Sequence, residues 1–372
     1  MTLRLDTAFA ELALRNGGDA EALAVFVRVL AADPPPDPAT ARRARRGRAW
    51  ALEKLGRLEA AIGAYRDLLA EPGTEVGSAD WALLSMALCR CYRDVGDQAM
   101  SVDVGERALR ELRLRRPALL DEHLQLGSTL TSCYVQRGDL VSARLLAERL
   151  LPLAGSTGSR ETRGALEWNA SLIARELGRY HEALELAERA LVLMAETDNA
   201  RHQGLLRCDL ALVLVARGEP ARAAQLLPAA YEILRDSAGV GEVVFCVALL
   251  AEVLVQLGDP EAALEWAERG VLLVEATGED LAHERAALAL AFGRAHLAGG
   301  EAALGEAELL RCGMLLARAG EHRSVALLWR RLGDSWAERE QTGLAMAAYR
   351  TALTVLGLPA AAPVTGRRQA GS

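Results

Sequence analysis

A turn-forming cluster recurs along this chain at nearly constant intervals. If the central residue of each cluster is taken as an anchor, successive anchors lie 39 to 42 residues apart. A fixed spacing of this length is typical of a repeat array, in which one supersecondary unit is copied along an axis. The nine anchors are Gly17, Gly56, Gly96, Gly138, Gly178, Gly218, Gly258, Gly300 and Glu340.

The chemistry of the anchors predicts a helical hairpin at each of them. A glycine after a helical stretch supplies the left-handed residue that ends a helix. A small or acidic residue then begins the next helix, where a negative charge suits the positive end of the helix dipole. We therefore expect each anchor to join a helix A to an antiparallel helix B. Looser stretches such as Asp33–Pro38 and Gly155–Ser159 are expected to return the chain to the next helix A.

Side-chain size at fixed distances from the anchors supports this interpretation. Only small residues occur seven positions before and five positions after an anchor, which is where two helices of a hairpin would approach most closely. The composition also favours an all-α fold, because the chain is 51% hydrophobic but only 4% aromatic. The small residues are Ala10, Ala49, Cys89, Thr131, Ser171, Ala211, Ala251, Gly293 and Gly333 before the anchors, and Ala22, Ala61, Ser101, Ala143, Ala183, Ala223, Ala263, Gly305 and Ala345 after them.

This arrangement of small residues around a glycine resembles the tetratricopeptide motif. The match is clearest around Gly178, with Ser171, Ala183 and Ala190 at the expected positions. The motif usually spans about 34 residues, whereas the repeat here is longer. The resemblance implies an all-α, right-handed α-solenoid of about nine repeats over residues 5–356. The tail, residues 357–372, is predicted to be disordered.

A narrower resemblance concerns regulatory proteins. The runs 45–69, 86–93, 137–140 and 168–171 look like the C-terminal sensor region of actinobacterial helix-turn-helix (XRE-type) transcriptional regulators. Those regulators have an N-terminal DNA-binding domain, which needs on the order of 60 residues. Only about 15 residues precede the first anchor. We therefore expect a stand-alone sensor module or a fragment of a longer regulator.

Charge and motif content argue against several functions. The formal net charge of −7 disfavours direct nucleic-acid binding. The sequence contains no phosphate loop, nucleophile elbow or zinc-protease motif, and its histidines form no metal-type pair. We expect neither an enzyme nor a cofactor or metal site. The N-terminus lacks the features of a signal peptide, and no apolar run is long enough to span a membrane. The six cysteines do not show the spacing of a disulfide framework. We therefore expect a cytoplasmic protein.

The A helices of such a solenoid line its concave face, so that face is the predicted binding groove. Arginines mixed with aromatic side chains suit an extended or helical peptide. Alternatively, many of these side chains pack between neighbouring A helices. The predicted groove residues are Arg46, Trp50, Met86, Arg90, Ser132, Trp168, Arg175, Phe245, Glu252, Arg294 and Arg330.

The densest positive charge in the sequence lies at Arg42, Arg43, Arg45, Arg46 and Arg48. This cluster could receive an acidic peptide or phosphate groups, or it could be a solvated outer face with acidic neighbours.

The function predicted from the sequence is a non-catalytic protein- or peptide-binding regulatory module in transcriptional regulation or signalling. Its predicted partner is a protein or peptide, with a DNA-binding regulator as one candidate, and a dimer is one oligomeric state compatible with the sequence. The alternative is an assembly adaptor that holds proteins together without switching.

Overall fold

The computed structural model describes residues 2–15, 17–197, 199–320 and 322–358. Within these ranges the regular secondary structure consists of 18 α-helices and includes no strand. The prediction of an all-α, tetratricopeptide-type solenoid is thus confirmed. The helices are α1 (Thr2–Arg15), α2 (Asp19–Leu30), α3 (Pro38–Lys54), α4 (Leu58–Ala70), α5 (Ala79–Asp94), α6 (Gln98–Arg115), α7 (Leu120–Arg137), α8 (Leu140–Thr157), α9 (Arg160–Glu176), α10 (Tyr180–Ala195), α11 (Ala200–Ala216), α12 (Pro220–Ser237), α13 (Val240–Gln256), α14 (Pro260–Thr277), α15 (Ala282–Ala298), α16 (Ala302–Leu316), α17 (Arg323–Glu338) and α18 (Thr342–Val355).

The anchors end the A helices as their chemistry requires. All eight anchor glycines have φ between 69° and 90°, and Glu340 takes the same left-handed conformation at 58°. At Gly138 the next residue, Asp139, donates its backbone N–H to the carbonyl of Tyr134 at 2.9 Å, which closes the end of α7. The Asp139 carboxylate then accepts from the backbone N–H of Ser142 at 3.1 Å and caps α8. One Gly-Asp pair therefore ends one helix and begins the next.

The small residues beside the anchors form the seam of each hairpin. In the hairpin around Gly178, the Ser171 hydroxyl donates to the carbonyl of Ala183 at 2.8 Å, so the two backbones lie close together. A Cβ atom at Gly333 would lie 2.5 Å from Cε1 of Tyr349. A larger side chain at these positions would force the helices apart.

Consecutive hairpins pack through a second recurring contact. The residue sixteen positions after an anchor, late in helix B, shares a core cluster with the residue twelve positions before the next anchor, in the following helix A. Leu112 and Leu126 form one such pair, and so do Val274 with Leu288 and Leu316 with Leu328. This contact is called here the stacking contact.

The chain divides into two compact units, and each is considered separately. The first comprises α1–α11, up to Arg217, and the second begins at Gly218 with α12. Among the described residues, no helix is both long enough and apolar enough to span a membrane.

Two local expectations differ from the structure. Gly155, expected in a loop, lies within α8, which continues to Thr157 with Pro152 inside it. Buried Ala154 holds this last turn against the core, and the short link that remains ends at Ser159, which caps α9. Helix α1 begins at Thr2, slightly before the predicted start of the array. The predicted disorder of the tail falls mainly on residues 359–372, which lie outside the described residues.

Candidate ligand-binding face

Polar side chains link neighbouring A helices in the first unit. Between α3 and α5, the Arg90 guanidinium donates through Nε to Oε1 of Glu53 at 3.0 Å. Nearer the start of the same helices, Arg46 lies 3.1 Å from Asp80. Since each pair joins two successive A helices, these contacts fix the spacing of the surface that the A helices present.

The same arrangement continues to the next helix. From α5, Arg93 donates through Nη1 to the hydroxyl of Ser132 in α7 at 3.1 Å, and through Nε to Asp94 at 2.7 Å. From α9, the Asn169 amide donates to the backbone carbonyl and to the hydroxyl of Ser128 in α7, each at 3.0 Å. Adjacent A helices are therefore cross-linked by side chains rather than separated by solvent.

The links between α9 and α11 converge on one carboxylate. The Trp168 indole donates through Nε1 to Oδ2 of Asp209 at 2.8 Å, and Arg175 donates to Oδ1 at 3.1 Å. Arg175 also lies 3.4 Å from Glu176. Both donors are held in place by this shared acceptor, which orients the flat indole and the flat guanidinium on the same surface.

His202, near the start of α11, joins this surface through Trp168. Its ring meets that of Trp168 edge-on, with the ring centroids 5.7 Å apart. Burial, together with the positive charges of Arg201, Arg90 and Arg93, lowers the pKa of His202 to about 4. The imidazole ring is therefore neutral near pH 7.

Arg90 is partly buried on this surface. Burial lowers the pKa of Arg90, but Glu53 and Tyr65 outweigh this effect, so the pKa lies above its usual value. The Arg90 side chain still has 32% of its surface exposed to water. We name the surface formed by these residues the unit 1 polar face; it consists of Arg90, Arg93, Ser132, Trp168, Arg175, His202 and Asp209.

The remaining predicted groove residues occupy other places. Trp50 and Met86 are half-buried and pack against core clusters of the first unit. In the second unit, Phe245 is 40% exposed and Arg330 is also exposed.

Two predicted residues of the second unit form ion pairs between its A helices. Glu252 in α13 pairs with Arg331 in α17, passing over α15. Arg294 lies 3.9 Å from Glu338, and its buried Nε atom has no hydrogen-bond partner among the described residues. The A-helix surface of the second unit therefore also bears charge.

Arg42, Arg43, Arg45 and Arg46 of the α3 arginine cluster pair with acidic neighbours. Arg42 pairs with Glu71 at 3.0 Å and with Asp80 at 2.6 Å, and Arg45 pairs with Glu71 at 2.7 Å. Arg43 pairs with Glu11. These contacts favour the solvated face with acidic neighbours over a phosphate-binding patch.

Three members of the unit 1 polar face were absent from the predicted set. Arg93 stands three positions before its anchor, the same offset as Arg175, so the repeat register could have revealed it. Asp209 stands nine positions before its anchor, where the other repeats place residues of mixed character, from the buried Gly47 and Ala87 to the half-buried Arg331. His202 lies in the first turn of α11, which sequence patterns usually assign to capping.

The chemistry available on this face is binding rather than metal chemistry. Arginine presents five N–H donors in a plane, and the hydrogen bonds described for Arg93 involve two of its nitrogen atoms. A guanidinium, a fixed indole and a neutral imidazole can together receive carbonyl or carboxylate groups and an apolar side chain. Within the described part of the chain, no group of three His, Cys, Asp or Glu side chains could hold a metal ion.

Comparisons with known proteins show similarity of fold. No protein-family model matches the sequence, and no curated protein matches it. A Rap protein complexed with Competence and Sporulation Factor matches with a TM-score of 0.61 and 14% identity, over 95% of this chain and 97% of that one. The apo quorum sensor NprR from B. thuringiensis has a TM-score of 0.61 and 12% identity, over 84% and 86% of the chains.

A third match is aspartyl phosphate phosphatase F from Bacillus subtilis, with a TM-score of 0.56 and 11% identity over 97% of this chain and 96% of that one. Other matching structures include a tetratricopeptide repeat protein. At these identities the likeness concerns the fold alone, and the fold is the tetratricopeptide-type solenoid that the helices already show.

Proposed function

We propose that this chain is a non-catalytic regulatory module that binds a protein or peptide on the unit 1 polar face. The observation that supports this most strongly is the pairing of Trp168 and Arg175 on Asp209. It holds an aromatic ring and a guanidinium in fixed orientations on a partly exposed surface. Aromatic and arginine side chains in such surroundings are the residue types that most often dominate binding energy.

The ion pairs and hydrogen bonds within this face explain how it could bind without large rearrangement. Arg90, Arg93 and Arg175 are each held by a carboxylate, so little side-chain entropy remains to be lost on binding. Their remaining N–H groups would donate to peptide carbonyls or to acidic side chains. The indole of Trp168 and the ring of His202 would contact an apolar side chain of the same ligand.

The regulatory part of the proposal is supported by the structural neighbours. One of them is complexed with a factor and another is a quorum sensor. We propose that the partner is a signalling peptide or a regulatory protein, including a DNA-binding regulator. Binding to several A helices at once would favour one spacing of those helices, and that change of spacing would be the signal.

Selection of peptides from a random library displayed on phage tests the binding site. Wild-type protein is expected to enrich a family of related peptides, and a synthetic peptide of that family is then titrated by calorimetry. Trp168→Phe replaces the indole by a smaller ring that has no N–H donor to Asp209, and Arg175→Gln removes the charge. Each substitution is expected to weaken binding by about tenfold or more. The first loses ring area and a fixed ring orientation, and the second loses a hydrogen bond to a charged group, which contributes about 1.5–3 kcal/mol.

Arg189→Gln is the matched control, because Arg189 belongs to the B helix α10 and pairs with Glu167 at 2.9 Å. Its affinity should equal that of wild type. The proposal fails if no peptide is enriched, or if the control weakens binding as much as Arg175→Gln does.

The non-catalytic part of the proposal has its own test, because one structural neighbour is named a phosphatase. Purified protein is incubated with acetyl phosphate and with an aspartyl-phosphorylated receiver domain, and phosphate release is followed. We expect release at the uncatalysed rate. A rate that rises in proportion to the protein concentration and is lost in a polar-face variant would show an enzyme instead.

The adaptor alternative differs from the regulatory proposal in one observable property. A switching module should change its solution scattering profile when the selected peptide is added. A static adaptor would bind two proteins at once and keep an unchanged profile.

A further inference from the structure

The first helix of the array exposes an apolar stripe. Leu5, Phe9 and Leu12 are 52%, 68% and 54% exposed. Their spacing of four and three residues places them on one face of α1. Terminal repeats of solenoid proteins usually present a polar outer face, so an apolar one needs a partner.

The repeat register identifies what this stripe is built to contact. Leu5 stands twelve positions before its anchor and Leu12 stands five before it. In all eight later A helices the residues at these two offsets are buried, with exposures of at most 7% at the first and 3% at the second. Leu126 and Cys133 in α7 are examples, both 0% exposed. Leu5 therefore occupies the stacking-contact position of α1, and Leu12 occupies a second position that is buried in every later A helix.

The last helix of the array shows the other half of this contact. Leu356 directly follows α18 and stands sixteen positions after its anchor; it is 43% exposed. At the same offset, the six B helices α6, α8, α10, α12, α14 and α16 place residues that are at most 2% exposed, such as Leu112 and Met194. Met346 and Leu353 on α18 are 44% and 39% exposed as well.

The exposed faces of α1 and α18 are complementary, because faces of the same kind pack against each other between consecutive hairpins within the chain. In each stacking contact, a residue that corresponds to Leu356 packs with a residue of the next repeat that corresponds to Leu5. Leu316 and Leu328 are an example. We propose that a second copy of this chain covers α1, with Leu356 of one copy stacking on Leu5 and Phe9 of the next. The contact is head-to-tail, so each copy contributes a different face.

A head-to-tail contact has a distinctive consequence. A two-fold contact would use the same patch on both copies, whereas this contact leaves one free face at each end of a pair. Further copies can add to those free faces unless a ring closes. The average mass of the wild-type chain should therefore increase with concentration. Each copy should use one contact surface at α1 and a different one at α18.

Sedimentation equilibrium over a range from low to several hundred micromolar tests the proposal with the full chain. Wild type is expected to show an average mass that rises above that of one chain. Phe9→Glu and Leu356→Glu should each remain monomeric throughout. Both side chains are exposed, so the fold should persist, and circular dichroism checks this.

Mixing the two variants is the decisive experiment. The Phe9→Glu chain keeps its α18 face and the Leu356→Glu chain keeps its α1 face, so an equimolar mixture should form pairs and nothing larger. Val192→Glu serves as the control, because Val192 on α10 is 66% exposed outside both faces. This control should associate like wild type.

Several outcomes would overturn the proposal. Wild type could remain a monomer at every concentration, which would leave both faces without a second copy. Association abolished by Phe9→Glu but retained by Leu356→Glu would show a two-fold contact through α1. A mixture that stays monomeric, or a control that loses association, would show that the stacking contact is not responsible.

Discussion

Trp168 donates its indole N–H to Oδ2 of Asp209 at 2.8 Å, across the boundary between two consecutive A helices. The other oxygen of the same carboxylate accepts from Arg175 at 3.1 Å. One side chain on α11 thus sets the orientation of two side chains on α9. The stability of the helix stack and the shape of the candidate binding face therefore depend on the same residue.

Removal of this acceptor should destabilise the first unit. Asp209→Ala leaves the indole N–H and the Arg175 guanidinium without their acceptor, which costs about 1–3 kcal/mol of unfolding free energy. Urea unfolding followed by circular dichroism measures this as a lower midpoint. Asp103→Ala is the control, since Asp103 is 61% exposed and pairs with Arg107 within α6. That change should cost less than about 0.5 kcal/mol.

The seam of the hairpins offers a comparison between neighbouring residues. Ala61 is 0% exposed at the seam of the second hairpin, whereas Ala60 beside it is exposed. Ala61→Leu should cost about 1–3 kcal/mol, because the larger side chain forces α3 and α4 apart. Ala60→Leu should change the unfolding free energy by less than about 0.5 kcal/mol. Equal effects in thermal unfolding would contradict the assignment of the seam.

The folded protein should lose stability in mild acid through His202. Its pKa is about 4 in the folded chain, below the ordinary value of 6.5, so between these values the unfolded chain binds more protons. Stability is therefore complete above about pH 6.5 and falls as the pH approaches 4. The unprotonated ring also contacts the Asn199 amide through Nδ1 at 2.8 Å.

A His202→Gln variant isolates this contribution. Its urea midpoint should decline less than that of wild type between pH 7 and pH 5, since glutamine does not titrate there. Parallel decline in both proteins would show that His202 does not titrate as described.

All six cysteines should be protected in the folded chain. Each is buried and free of disulfide bonds. Burial raises the pKa of Cys91 and of Cys312 to about 12, and the thiolate is the reactive form. The hydrogen bond with Cys89 lowers the pKa of Cys133 to about 7, so the protection of Cys133 depends on its burial. A maleimide reagent should label native protein slowly and label six thiols after denaturation, as counted by mass spectrometry. Rapid labelling of Cys89 or Cys133, whose sulfur atoms lie 3.4 Å apart, would show local opening between α5 and α7.

The repeat register was largely readable from the sequence because it depends on local chemistry. A left-handed residue at each anchor and a small side chain at each seam are requirements that recur at fixed offsets, as Gly178, Ser171 and Ala183 show. The end of α8 was predicted wrongly because only local sequence chemistry was considered. Gly155 and its polar neighbours read as a loop, while burial of Ala154 against the core extends the helix.

The binding face was only partly readable. The offsets predicted an A-helix position for Arg90, Ser132, Trp168 and Arg175, because residues at equal offsets recur in successive A helices. They did not reveal Asp209, whose offset carries buried apolar, half-buried and charged residues in different repeats. They also gave no means of deciding which of these side chains pair with one another.

The sequence by itself thus determined the positions of the anchor turns and the all-α fold. Each of these follows from interactions within one hairpin. Only the tertiary structure decided that Asp209 joins Trp168 to Arg175, and that Leu5 and Leu356 are left uncovered. These features depend on how one hairpin packs on the next, because they join residues of different hairpins, as Arg175 and Asp209 do across 34 positions of the chain.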